Sequence, residues 1–217
     1  YTRTTGIWQT VWLEFVPESY IERLYYYPNI AEGSVTVRAV TKGEGTLSAE
    51  AFYEGKSCGK AQARVCAGNV VLTIPLSEVH LWEAGHGRLY HLKLSFGEDQ
   101  VDSYFGMREI RLEGERFLIN GKSVFQRLVL DQGFYPDGIY TAPSDEALEQ
   151  DIRLSLAAGF NGARLHQKIF EERFLYHCDR LGSLVWGEQG NWGLDYSRPD
   201  GLKCFLPEWM EALARDF

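Results

Sequence analysis

The sequence predicts a chain of mixed class, an immunoglobulin-like β-sandwich followed by a run of parallel βα units. Three observations predict it. Short runs of alternating apolar residues, separated by glycine-bearing turns, fill residues 20–104, as in an antiparallel sandwich. Beyond about residue 107 the period changes, and strand-like runs alternate with amphipathic helices, as in βαβ units with right-handed crossovers and neighbouring parallel strands. The joints are also asymmetric. Helix-to-strand joints are one or two residues long, at Gly159 and Gly182, whereas the loops after the first and third strands cover roughly residues 133–143 and 189–205.

The sandwich elements follow from alternation. "SVTVRAVT" (34–41) sets Val35, Val37 and Ala39 against Thr36, Arg38 and Val40. "TLSAEAFYEG" (46–55), "AQARV" (61–65), "NVVLTIPL" (69–76) and "RLYHLKLSF" (88–96) continue the pattern, and Tyr25-Tyr26-Tyr27 reads as a further strand. The Cys–Trp–Cys pattern of antibody domains is absent. "GIWQTVWLEFVP" (6–17) is strand-like but too short for a domain, so it reads as the tail of an upstream domain or as an extra edge strand.

In the second half, Asn120-Gly121 inside "FLINGKSVF" supplies the positive φ angles of a type I′ hairpin turn. "RLVLDQ" (127–132) is a first strand. The first helix spans 143–159, with Ser144 as N-cap and Asp145 and Glu146 facing its positive start. Leu148, Ile152 and Leu156 share one face, and Gly159 ends the helix. "FNGARLH" (160–166) is the second strand. The second helix, 169–182, carries a stripe of Phe170, Phe174, Cys178 and Leu181 and closes on Gly182. "SLVWGE" is the third strand, and "LPEWMEALARDF" (206–217) begins a third helix with Pro207 in its first turn.

The long loops leave the carboxyl ends of parallel strands, the face on which α/β folds build their sites. The strand ends there carry Asp131 and Gln132, Arg164 and His166, and Glu188, with Tyr135, Asp137, Lys168, Asn191 and Trp192 in the loops behind. Each residue alone has a bland reading: Arg164 in an ionic network with Asp131 or Glu188, His166 as a satisfied core histidine. Together they suit a polyhydroxylated ligand, with charged groups on the hydroxyls and Trp192 or Tyr135 stacked on the C–H face of a sugar. Asp131 and Glu188 make a poor catalytic couple. They sit two strand spacings apart, about 10 Å, whereas a carboxyl pair that hydrolyses a glycosidic bond stands about 5–5.5 Å apart in retaining and about 6.5–9.5 Å in inverting enzymes.

Composition excludes other classes. A net charge of −8 argues against nucleic-acid and anionic-membrane partners. No run of 18 apolar residues is long enough to span a bilayer. Cys58, Cys66, Cys178 and Cys204 form no C-x-x-C pair and have no histidines at zinc spacing, so free thiols, no metal and a cytoplasmic compartment are expected, with a Cys58–Cys66 bridge as the minor alternative. A periplasmic or secreted location stays open, because Tyr1–Thr5 lack an initiator Met and form no signal peptide. His80, His86 and His91 read as structural. "TKGEGTL" (41–47) has no following helix and is no phosphate loop, and no G-x-S-x-G is present.

The order of these motifs resembles glycoside hydrolase family 2, the β-galactosidase, β-glucuronidase and β-mannosidase group. "GIWQTVWLE" is similar to the end of its N-terminal jelly-roll domain, residues 20–104 to its immunoglobulin-like domain, and "YFGMREI" (104–110) to its domain junction. "INGKSV" (119–124), "DIRLSLAAGFNGARLH" (151–166) and "CDRLGSLVWGE" (178–188) are similar to the start of its (β/α)8 TIM barrel. The resemblance implies three segments: 1–19 as a jelly-roll tail, 20–106 as the sandwich and 107–217 as the first three βα units of the barrel. It implies a retaining exo-β-glycosidase, galactoside-type favoured, needing no cofactor. Arg164, His166 and Glu188, with Asp131 after the first strand, match its positions near the sugar, and with Gln132 and Trp192 from the strand-end reading they are the expected substrate-binding residues.

The family's two catalytic glutamates follow the fourth strand, in an Asn-Glu pair, and the seventh strand. This chain contains no Asn-Glu and only about 110 residues after the sandwich, against about 250 for a whole barrel. No catalytic residue is therefore assigned within it, and the isolated chain is expected to be inactive. The family's Arg-x-Ser-His-Tyr-Pro reads Arg164-Leu165-His166-Gln167-Lys168, and Leu130-Asp131-Gln132 stands where a histidine is usual. Both changes touch loops that choose the sugar. A non-catalytic carbohydrate-binding module is the alternative. A doubly wound enzyme is disfavoured by the missing phosphate fingerprint. The open parallel edge predicts either self-association into a homo-oligomer or a poorly packed last helix.

Overall fold

The computed structural model describes residues 4–66, 68–188, 190 and 198–216. The chain forms two compact units, one of Leu13–Phe125 and one of Tyr1–Trp12 with Gln126–Phe217.

The first unit is an immunoglobulin-like sandwich. Its strands are β1 (Tyr20–Asn29), β2 (Ser34–Lys42), β3 (Gly45–Tyr53), β4 (Lys56–Val65), β5 (Asn69–Pro75), β6 (Tyr90–Phe96) and β7 (Asp99–Phe105). They form two antiparallel sheets, β1-β2-β5 and β4-β3-β6-β7. Alternation sets the inner faces: in β5, Val70, Leu72 and Ile74 are buried while Asn69, Val71, Thr73 and Pro75 are exposed. Val35, Val37, Leu47, Leu92 and Phe96 meet them in the core. Cys58 and Cys66 are free thiols, Cys58 buried and Cys66 exposed.

Tyr90 opens β6 and is fully buried. Its hydroxyl donates to the Glu78 carbonyl (2.9 Å) and accepts from the His80 N–H (2.7 Å), as in a tyrosine corner. Its ring stacks on Phe105 at 5.0 Å. Burial pushes the phenol up to about 12. Tyr90→Phe removes the partner of two part-buried backbone groups and is expected to cost about 1–2 kcal/mol, read as a lower urea midpoint of the sandwich at unchanged slope.

A small antiparallel sheet of β8 (Ile110–Glu113), β9 (Arg116–Ile119) and β10 (Lys122–Ser123) completes this unit. Asn120 (φ 52°) and Gly121 (φ 76°) make the expected left-handed turn. The Asn120 amide also donates to the Trp82 carbonyl (2.9 Å), and its oxygen accepts from the Glu109 N–H (2.9 Å).

In the second unit, β11 (Leu128–Asp131), β12 (Gly162–Leu165) and β13 (Leu184–Gly187) pair in parallel and in that order. They are joined by α1 (Asp145–Ala157) and α2 (Glu172–Leu181), with α3 (Pro199–Asp216) following. Ser144 caps α1, its hydroxyl accepting from the Ala147 N–H, and Gly182 ends α2 in the left-handed conformation. Leu148 and Ile152 from α1 and Phe174 and Cys178 from α2 pack on Ala163 and Leu165.

Three expectations shift. Residues 6–17 form no strand; part of that segment is instead held by side-chain and aromatic contacts to the second unit, described below. The second helix begins at Glu172, leaving Phe170 buried in the loop before it. The third helix starts well before Leu206, so Pro207 lies inside it rather than in its first turn. Among the described residues no helix is long and apolar enough to cross a membrane.

Candidate functional site

Side chains alternate along a strand, and paired residues of a parallel sheet share a face. The partners Val129, Ala163 and Val185, with Leu165, lie on the face covered by α1 and α2. Leu130, Arg164 and Trp186 are partners on the other face, where Leu130 is 53% and Trp186 49% exposed. Parallel sheets in proteins are covered on both faces, so this apolar layer has the character of an interior surface.

At the carboxyl end of that open face stand four of the sequence-predicted residues. Arg164 grips Glu188 with two parallel hydrogen bonds, Nε to Oε2 at 2.6 Å and a terminal nitrogen to Oε1 at 2.9 Å. The guanidinium beside Glu188 holds its carboxyl below the usual range, and His166 adds to the effect. Gln132 Nε2 lies 3.3 Å from His166 Nδ1. The His166 N–H donates to the Asp131 carbonyl (2.8 Å), tying the ends of β11 and β12. The arrangement offers a charged bidentate pair, an imidazole and an amide side by side. These are the donor and acceptor types that hydroxyl groups need.

Asp131 is placed apart from these four. It pairs with Leu165 and so lies on the helix-covered face. Its carboxylate accepts the Gly133 N–H at 2.8 Å. Burial pushes its pKa up, and nearby Asp151 adds to this, while the Gly133 hydrogen bond and Lys168 oppose it. Tyr135, expected as a stacking ring, donates its hydroxyl to Asp151 on α1 (2.8 Å) and packs against the helix-side cluster. Trp192 and Asn191 lie outside the described residues.

Lys168, in the loop after β12, sits in a box of carbonyls and rings. Its ammonium donates to the carbonyls of Gly133 and Tyr140, both at 2.9 Å. It lies over the rings of Trp8, Phe170 and Tyr140 at 4.5, 4.8 and 5.1 Å. Desolvation lowers its pKa to about 8, against the attraction of Glu171 and Asp131. The folded value lies below the unfolded one, so burying this cation costs stability below about pH 8, and the cost fades as pH rises toward the unfolded value. Sequence reading placed Lys168 in the loops behind the site. It gave no sign of Trp8, which is distant in the chain and reached only through tertiary packing. Among the described residues no group of three His, Cys, Asp or Glu could hold a metal ion.

Residues 19–108 match the model of glycosyl hydrolases family 2, so this segment belongs to that family. Similarity to named glycosidases extends over the rest of the chain. The "Beta-galactosidase" of Leuconostoc mesenteroides subsp. mesenteroides is 27% identical in an alignment covering 98% of this chain and 23% of that protein. A "Putative beta-glucuronidase" of Formosa agariphila is 26% identical over 84% of this chain and 24% of its own length. The Ruminococcus gnavus β-glucuronidase in complex with D-glucuronic acid shares the fold, with a TM-score of 0.79 at 20% identity, covering 93% of this chain and 35% of that one. The chain thus spans about a quarter of the length of the curated relatives it matches.

Proposed function

We propose that this chain is the sandwich and the opening βα units of a (β/α)8 barrel in a retaining family 2 exo-β-glycosidase. The open face carrying Gln132, Arg164, His166 and Glu188 is the floor of its terminal-sugar subsite. The observation that carries this reading is the convergence of those four side chains at the carboxyl ends of adjacent parallel strands. The exposed layer of Leu130 and Trp186 beneath them supports it, because a barrel turns that face inward. Both the galactosidase and the glucuronidase relatives fit, and a galactoside is the favoured substrate.

Catalysis by a carboxylate pair needs two carboxyls across one glycosidic bond, about 5–5.5 Å apart in retaining enzymes. Here Asp131 and Glu188 belong to opposite faces of the sheet, and Arg164 occupies both oxygens of Glu188. Glu188 therefore binds and orients, and the acid/base and nucleophile come from elsewhere in the parent protein. The test is a panel of nitrophenyl β-galactoside, β-glucuronide and β-mannoside. The 217-residue chain is expected to release no nitrophenol. Turnover by the chain that Glu188→Gln abolishes would instead make Glu188 the catalyst and overturn this assignment.

A further inference from the structure

The sugar-facing residues leave one cluster of the second unit without a role: Trp8, Lys168 and the loop from Gly133 to Thr141. We infer that Trp8 and Lys168 are positioning residues, and that docking of the segment around Trp8 locks Gly133 and thereby fixes Gln132 against His166. The link to sugar rests on the proposed function above, whereas the locking stands on geometry alone.

Both backbone groups of Gly133 are held. Its N–H donates to Asp131 Oδ1 (2.8 Å), and its carbonyl accepts from Lys168 Nζ (2.9 Å). The residue has φ +57°, and a Cβ there would stand 2.6 Å from Lys168 Nζ and 2.9 Å from the Phe170 ring. Only glycine lets the ammonium approach so closely. The same ammonium reaches the Tyr140 carbonyl, so one cation spans both ends of the loop. Within the loop, Tyr135 and Ile139 exchange backbone hydrogen bonds at 2.7 and 3.0 Å.

The N-terminal segment closes this box. The Trp8 ring packs on Lys168 and, at 6.0 Å, on Tyr140. The Thr141 hydroxyl donates to the Trp8 carbonyl (2.6 Å), and the Gln9 amide donates to the Ile169 carbonyl (3.1 Å). Two side-chain hydrogen bonds thus hold the segment to the loops after β11 and β12. Lys168 is taken up by two carbonyls and three rings, so it acts on the sugar only through Gly133 and Gln132. Without Trp8 the ammonium loses one ring face and gains water, and its hold on the Gly133 carbonyl weakens.

The experiment is amide hydrogen exchange by NMR on the 217-residue protein. Trp8→Ala and Lys168→Met are expected to speed exchange of the Gly133 amide by about tenfold or more, while Ala163 and Leu165 in β12 keep their protection. Trp8→Phe, which retains a ring face, is expected to restore slow exchange. Unchanged Gly133 exchange in Trp8→Ala and Lys168→Met overturns the inference, as does Trp8→Phe behaving like Trp8→Ala. If no sugar perturbs the wild-type chain, the proposed function fails, yet Gly133 exchange still decides whether the segment locks the loop.

Discussion

Gly162→Val is expected to destabilise the parallel-sheet unit strongly while the sandwich keeps its own transition. Gly162 sits in the central strand β12, paired with Leu128 on one side and Leu184 on the other. A Cβ there would stand 2.6 Å from the Leu184 Cβ and 2.8 Å from Leu128 Cδ2, and would also press on the Leu184 backbone carbonyl. The two leucines close over the space that the glycine leaves. A valine must push apart hydrogen-bonded strands rather than a flexible side-chain end, so the cost sits at the upper end of overpacking, about 3 kcal/mol. Urea unfolding followed by NMR separates the units. Signals of Ala163 and Leu165 are expected to melt early, and those of Leu92 and Phe96 at the wild-type midpoint. Coincident loss of both sets would mean that the units do not unfold separately.

Arg164→Met is expected to leave the fold intact and remove sugar recognition. The Arg164–Glu188 pair has side-chain exposures of 51% and 26%, and so open an ion pair contributes under about 1 kcal/mol to stability. Its value lies in holding Glu188 with a two-pronged hydrogen bond, a geometry that lysine cannot copy. In a closed sugar site, a carboxylate left without its partner costs about 2–4 kcal/mol of binding, or roughly 30- to 1,000-fold in affinity. Arg164→Lys is expected to restore little of this. The measurement is the ratio of sugar affinities beside unchanged thermal unfolding. A variant with wild-type affinity would reduce the pair to a surface ion pair.

These two effects mark what the sequence discloses. Where period and caps act locally, the chain is readable. The alternation of Val35, Val37 and Ala39 places them in the core, and Ser144 and Gly182 end their helices where expected. The edge strand β7 has no such signal, because its run "DQVDSYF" buries only Phe105 fully. Within the site, the strand ends were legible but their faces were not. Asp131 and Gln132 are neighbours in sequence, yet a single step along a strand turns one toward the helices and leaves the other beside His166. That step separates a residue that holds a loop from one that stands beside His166 on the open face. Trp8 was illegible for a different reason. Its partners Tyr140, Thr141 and Lys168 lie far along the chain, and the strand-like look of "GIWQTVWLEFVP" gives no hint of side-chain contacts to a half-buried lysine.

The central claim is that the open end of the parallel sheet is a sugar subsite. The most direct test is an NMR titration of the 217-residue chain with galactose, glucuronic acid and mannose in turn. The account predicts that at least one sugar shifts the signals of Gln132, Arg164, His166 and Glu188 together, and that Arg164→Met abolishes the shifts. Shifts confined to the sandwich would instead support a carbohydrate-binding module, and no shift with any of the three sugars would contradict the account.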